Sequence, residues 1–151
     1  MQNSCAGFTP GGANECRIAV PTVAVVIPCF KVKAHILDVL EAIGSECTKI
    51  YVVDDSCPEM SGLWVESQCN DSRVVVLYNP ENLGVGGAVM NGYRAALADG
   101  MDIVVKIDGD GQMDPCLISD FIAPIMSGEA DYAKGNRFFD LEQVRQMPTV
   151  R

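Results

Sequence analysis

The stretch Ile103-Val104-Val105-Lys106-Ile107-Asp108-Gly109-Asp110-Gly111-Gln112-Met113-Asp114-Pro115 decides how this chain folds. Its opening residues are apolar and β-branched apart from one lysine, the composition of a buried strand. The run stops abruptly at acids spaced by glycines. Glycine reaches φ > 0 and lets a ligand approach the backbone, so Gly109 and Gly111 predict a tight loop at the strand's C-terminal end. There Asp108, Asp110 and Gln112 can turn their oxygens toward one point. Hard oxygen donors of this kind suit Mg²⁺ or Mn²⁺, ions that keep positions open for water and substrate phosphate. Asp114 fits an N-cap and Pro115 the first turn of a following helix. Strand, acidic loop and capped helix place a site at the carboxyl edge of a sheet, where open α/β folds take ligands. A calcium EF-hand loop also starts with alternating acids, but it needs Gly and Glu where this chain has Met113 and Ser119.

Working outward, the same alternation of strand and helix repeats. In the 151-residue chain, positions 1–19 are polar and glycine-rich at the start and read as a flexible leader without the apolar segment of a signal peptide. Positions 20–151 read as one α/β unit. Strands are expected at Val20 to Ile27, Lys49 to Val53, Val74 to Tyr78, Ile103 to Ile107 and Ala130 to Lys134. Helices are expected at Ala34 to Ile43, Ser61 to Cys69 (Ser61 as cap), Ala88 to Asp99 and Pro115 to Met126. The glycine-rich loop Asn82-Leu83-Gly84-Val85-Gly86-Gly87 leads into the third helix. This order implies a mostly parallel sheet with helices on both faces.

Composition narrows the function. Hydrophobic residues make up 48% of the chain, enough for a real core, and the formal net charge is -9. No basic stripe is present, which argues against a nucleic-acid partner. The seven cysteines never fall into a Cys-x-x-Cys pair and are odd in number, so zinc spacing is absent and free thiols in a reducing compartment are expected. The apolar runs are of strand length, too short to span a bilayer.

In a parallel sheet the loops after successive strands gather on one edge. Pro28-Cys29-Phe30 offers a ring and backbone groups to a base. Asp54-Asp55-Ser56 offers a carboxylate to a base or ribose, and Asp108-Gly109-Asp110 a metal for a diphosphate. A dinucleotide-binding oxidoreductase is prompted by Gly84-Val85-Gly86, but its fingerprint wants Gly or Ala where Val89 stands and follows the first strand, not the third. A non-catalytic nucleotide-binding fragment is the other alternative. Lone His35 reads as a helix-surface residue. Lys106 serves either the electrostatics of the site or an ion pair with a neighbouring acid.

The segments Val25-Val26-Ile27-Pro28-Cys29-Phe30, Val52-Val53-Asp54-Asp55-Ser56, Asn82 to Ala88, Asp108 to Gln112 and Lys134-Gly135-Asn136-Arg137-Phe138 together resemble the GT-A fold, family 2 glycosyltransferases, above all polyprenyl-phosphate sugar transferases of the dolichol-phosphate mannosyltransferase type. The resemblance implies transfer of a sugar from a nucleoside-diphosphate sugar to an acceptor, a polyprenyl or dolichyl phosphate or another glycan acceptor, metal-assisted and inverting. Pro28 and Phe30 would border the nucleobase and Asp55 would hydrogen-bond it. Asn82, Gly84 and Gly87 would shape the wall near base and ribose. Asp108, Asp110 and Gln112 would hold Mg²⁺ or Mn²⁺ beneath the diphosphate. Asp108, Asp110 and Arg137 would serve catalysis, Arg137 toward phosphate charge. It departs from the family at Asp54-Asp55-Ser56-Cys57-Pro58, where Asp-Asp-Gly-Ser is usual. It also implies that family members continue past the position of Arg151, so that the missing part would supply acceptor and membrane contacts, at the cytoplasmic face.

Overall fold

The structure is a computed structural model and describes residues 20–135. The expected leader at 1–19 and the segment 136–151, with Arg137, lie outside the described residues. Strand β1 (Val23–Cys29) is followed by α1 (Ile36–Glu41), β2 (Lys49–Asp54), α2 (Ser61–Gln68), β3 (Val74–Tyr78), α3 (Gly84–Ala98), β4 (Ile103–Lys106), a 3₁₀ turn at Pro115–Leu117 and α4 (Ile118–Met126). The strands form a four-stranded sheet of order β3-β2-β1-β4. Every pairing is parallel, with Cys29 beside Asp54 and Val26 beside Lys106.

β1 is apolar along its length because it is covered on both faces, the usual state of a central parallel strand. Val23, Val25, Ile27 and Cys29 join Ile50 and Val52 on one face, where Ile36 and Leu40 of α1, Val65 of α2 and Ile118 and Ile122 of α4 complete the core. Ala24 and Val26 point the other way with Tyr51 and Val53, against Ala88 and Ala96 of α3. Helices therefore lie on both faces, as the alternation of elements predicts. At the far end of α3 the Asp99 carboxylate accepts a hydrogen bond from the Tyr51 hydroxyl at 2.6 Å, which ties the helix to β2.

Element ends depart from expectation for local reasons. β1 starts at Val23 rather than Val20: Val20 is 78% exposed and Pro21 has no N–H to donate to a ladder. α1 covers Ile36–Glu41, less than expected. Ser61 is not the cap of α2; Met60 occupies that position with φ 52, and the Ser61 hydroxyl instead meets the Cys57 sulfur at 3.1 Å. α3 begins at Gly84, so the glycine-rich stretch forms the first helical turn instead of a loop before Ala88. Asp114 does cap its turn, its Oδ1 accepting from the Cys116 N–H at 2.9 Å, but α-helix sets in only at Ile118. No strand forms at 130–134. Gly128 leaves α4 with φ +76, the Glu129 and Ala130 N–H groups turn back to the Pro124 carbonyl, and Tyr132 is exposed. Ala130 and Ala133 are only half-buried there, and Asp131, Tyr132 and Lys134 are exposed, so the segment presents no continuous apolar face to the sheet. Among the described cysteines Cys29, Cys47, Cys57, Cys69 and Cys116 are all free thiols, as expected.

Gly92 sets the height of α3 above the sheet. A Cβ at this position would lie 2.4 Å from Cγ1 of Val26 and 3.2 Å from Cγ2 of Val53. Gly86, on the same helix, has nothing within 4 Å of where its Cβ would be. Gly92→Val is expected to lower stability by about 1–3 kcal/mol through overpacking, whereas Gly86→Ala should be neutral or stabilise by up to about 1 kcal/mol through helix propensity. Urea unfolding of both variants checks the contrast.

Candidate active site

The strand order runs outward from β1 to β3 on one side and returns to β4 on the other. At such a reversal the chains leaving neighbouring strands separate, and a crevice opens at their carboxyl ends. Here the crevice is a cleft of about 340 Å³, lined by Pro28, Phe30, Asp55, Asn82, Asp108 and Asp110 among others. The structure thus brings together most of the residues singled out from the sequence.

The two consecutive acids after β2 have separate duties. Asp54 is buried, and both its oxygens are engaged: Oδ1 accepts from the Cys57 N–H at 2.7 Å and Oδ2 from the Gly62 N–H at 2.6 Å. It fastens the loop to the start of α2. Gly62 makes this possible, since a Cβ there would lie 2.8 Å from Asp54 Oδ2 and 2.8 Å from the Tyr78 ring. Asp55 is equally buried yet reaches the cleft. Its N–H donates to the Cys29 carbonyl at 3.1 Å, which joins the loops after β1 and β2. Its Oδ1 accepts from Asn79 Nδ2 at 2.7 Å and from the Leu83 N–H at 2.9 Å. Among the described residues no donor engages Oδ2.

Around Asp55 the wall comes from the start of α3. Asn82 Oδ1 accepts from the Gly84 N–H at 2.9 Å, and Gly84 takes φ +72, a conformation that favours glycine. Asn82 and Gly84 line the cleft with Val85 and Ala88. Gly87 does not. A Cβ at Gly87 would sit 2.3 Å from Cβ of Leu83, so this glycine relieves crowding within the helix start rather than shaping the pocket. Phe30 is partly exposed at the mouth, with the Lys31 ammonium 5.4 Å from its ring centre. Cys29 also lines the cleft; burial first, then the nearby Asp54 carboxylate, pushes its thiol up to about 12, so it stays protonated.

On the β4 side Asp108 is paired with the Lys106 ammonium through Oδ1, which settles the role of Lys106 in favour of the ion pair. Asp110 is exposed, and its Oδ1 accepts from the Gln112 N–H at 3.0 Å. Gly109 sits between them in close quarters: a Cβ would come within 3.1 Å of Ile36 and 3.2 Å of Ile27 and Val32, whose side-chain tips would have to give way. Gln112 is not on the cleft. It lines a neighbouring depression with His35, Asp38 and Asp114. The turn itself accounts for this, since Gly111 takes φ +76 and breaks the simple alternation that would have put Gln112 on the same side as Asp110.

The donor set fits a divalent cation in one particular way. Among the described residues no group of three or more His, Cys, Asp or Glu could hold a metal ion. Asp108 and Asp110 face one cleft, each with an oxygen that takes no described hydrogen bond. Mg²⁺ is commonly bound by one or two carboxylates with water and substrate phosphate filling the rest of its shell. The pair suits such an ion and not a closed protein cage.

Comparison with known proteins follows the same lines. The profile of the family "Glycosyl transferase family 2" matches residues 24–151. Polyprenol monophosphomannose synthase of Mycolicibacterium smegmatis is 28% identical over 155 residues, covering 98% of this chain and 58% of its own length. UDP-N-acetylglucosamine--dolichyl-phosphate N-acetylglucosaminyltransferase of Methanococcus voltae is 34% identical over 52% of this chain and 32% of its own. TarS of S. aureus, residues 1-349, shares the fold with a TM-score of 0.53 at 21% identity, over 73% of this chain and 34% of TarS. The chain spans about half the length of the curated relatives it matches.

The separate duties of the two acids give a stability test. In Asp54→Asn an amide NH₂ must face a backbone N–H, so this variant should lose about 1–3 kcal/mol. In Asp55→Asn the side-chain carbonyl can still accept both bonds now made by Oδ1, and the loss should stay under about 1 kcal/mol. Denaturant unfolding of the two variants measures the difference.

Proposed function

The chain belongs to glycosyl transferase family 2, and from that premise we propose that it transfers a sugar from a nucleoside-diphosphate sugar to a polyprenyl or dolichyl phosphate, with inversion at the anomeric carbon. The observation that carries the proposal is the cleft: Asp55, with Oδ2 unengaged, and the Asp108–Asp110 pair line the same cavity of about 340 Å³. That volume is in the range of small-molecule sites, roughly 300–1,000 Å³. The names of the two relatives, one a polyprenol monophosphomannose synthase and one a dolichyl-phosphate N-acetylglucosaminyltransferase, support the acceptor class.

In this reading Pro28 and Phe30 flank the base, and Asp55 Oδ2 accepts its N–H. Asn82 and Gly84 border base and ribose. Asp108 and Asp110 would hold Mg²⁺ or Mn²⁺, which when bound supplies Lewis-acid stabilisation of charge on the departing nucleoside diphosphate. The acceptor phosphate oxygen is already ionised at neutral pH, so a strong general base is not needed. His35 fits that view, since it lines the neighbouring depression and not the cleft. Attack from the side opposite the leaving diphosphate inverts the anomeric carbon. Arg137, outside the described residues, belongs to the proposal as a partner for phosphate charge. No described helix is long and apolar enough to cross a membrane. Contact with the lipid acceptor, at the cytoplasmic face, is assigned to residues beyond those described.

The test is nucleotide binding and transfer. Calorimetric titration with GDP and UDP should show that Asp55→Ala weakens the preferred nucleotide by about 1.5–3 kcal/mol, the range for a hydrogen bond to a charged group. Mn²⁺ and nucleotide should tighten each other by the same factor, and Asp108→Asn with Asp110→Asn should abolish that coupling in a folded protein. Equal affinity in Mn²⁺ and in EDTA would remove the metal from the proposal. Product analysis with GDP-mannose or UDP-N-acetylglucosamine and polyprenyl phosphate should give the inverted anomer, and a retained anomer would refute the displacement.

A further inference from the structure

We infer that Asn79, with Asn91 behind it, is a positioning residue that fixes the Asp55 carboxylate for its ligand; the inference rests on the reading of Asp55 as the base-binding group. Asn79 stands directly after β3 and is 5% exposed. Its backbone N–H donates to the Asp54 carbonyl at 2.9 Å, so the β2–β3 ladder continues through it and fixes its Cα. From that fixed point Nδ2 reaches Asp55 Oδ1 at 2.7 Å, while Oδ1 accepts from Asn91 Nδ2 at 2.7 Å. Asn91 lies on α3 next to Gly92, where the helix comes closest to the sheet.

The amide of Asn79 can serve only one way round. Flipped, its carbonyl oxygen would face the Asp55 carboxylate and its NH₂ would face the NH₂ of Asn91, two contacts without a bond. In the arrangement present, a donor meets an acceptor at every step from α3 to Asp55. The Leu83 N–H adds a second donor to the same Asp55 oxygen at 2.9 Å. With Oδ1 held twice, the carboxylate plane is set and Oδ2 is left for the cleft. A carboxylate held in this way gives up less rotamer freedom when a base arrives, which is the physical basis of pre-organised binding. The chain also couples two walls of the cleft, because α3 supplies Gly84, Val85 and Ala88 to the lining and Asn91 to the relay.

A double-mutant cycle on the 151-residue chain tests the inference, with GDP and UDP in Mn²⁺ as probes and thermal unfolding run on every variant. Asn79→Ala should weaken the preferred nucleotide about tenfold and Asn91→Ala about threefold, the size of one buried hydrogen bond lost next to, and one step from, the binding group. In the Asp55→Ala background Asn79→Ala should change affinity less than about twofold, although the unfolding temperature still falls. A merely structural asparagine would weaken binding equally in both backgrounds, and that result overturns the inference. So does a folded Asn79→Ala protein that binds like the parent while Asp55→Ala is impaired. If Asp55→Ala itself binds like the parent, the base-binding reading fails and this inference with it, a distinct outcome. Should Asn79→Ala not fold, Asn91→Ala decides: alanine is the better helix former there, and a threefold loss that vanishes in the Asp55→Ala background supports the relay, while no loss overturns it.

Discussion

Parallel pairing of β1 on both of its edges is the constraint on which the rest depends. β2 lies on one side and β4 on the other, and both faces are covered by helices. A strand so placed must be apolar throughout, and Val23 to Ile27 are all at most 2% exposed. Because the strands are parallel, all of them end on the same edge. Because their order reverses at β1, the chain leaving it and the chain leaving β4 diverge. The cleft is a consequence of those two facts. Nothing in its own lining would hold it open otherwise, since Pro28 stands near the end of β1 and Asp55 and Asp108 on the separate loops after β2 and β4.

Burial at that edge forces a division of labour among acids that look alike in the sequence. A buried carboxylate needs hydrogen-bond donors, and backbone N–H groups at the start of a helix are the nearest supply. Asp54 takes one from the start of α2, at Gly62, and one from the loop itself, at Cys57, and is fully used in holding the loop. Asp55 takes its two donors on one oxygen and keeps the other for the cleft. Asp108 is paired with Lys106 and Asp110 stands in solvent. The site thus grades from a dry end, suited to directional hydrogen bonds with a base, to a wet end, suited to an ion and phosphate oxygens.

How far the sequence discloses this depends on the range of the interaction. The Ile103 to Pro115 stretch announces a strand, a turn and a cap by local chemistry, and the structure has all three, as it has the parallel sheet and the meeting of the three loops. Gln112 lines the neighbouring depression because alternation along the chain is broken by the positive φ of Gly111, which the spacing of acids does not show. Gly87 is off the cleft for a related reason: the glycine-rich stretch is the first turn of α3, and there a glycine can be needed for its own neighbour, Leu83. The segment 130–134 has the composition of a strand, but its backbone turns back on the end of α4 and its one large side chain, Tyr132, is exposed. Asn79 and Asn91 carry no local signal of their roles because their partners lie 24 and 12 residues away. The one available signal was a polar residue between a strand end and a proline, Tyr78-Asn79-Pro80.

The proposed function requires a base at Asp55 and a diphosphate at the Asp108–Asp110 turn within one cleft. Amide chemical-shift mapping of the ¹⁵N-labelled chain, titrated with GDP or UDP in Mg²⁺, tests it directly. Shifts are expected at Phe30, Asp55 and Leu83 together with Gly109 and Gly111, with a quiet outer face on α2 and α4. Shifts confined to the neighbouring depression, at His35, Asp38 and Asp114, with Asp55 and Leu83 unmoved, would contradict it.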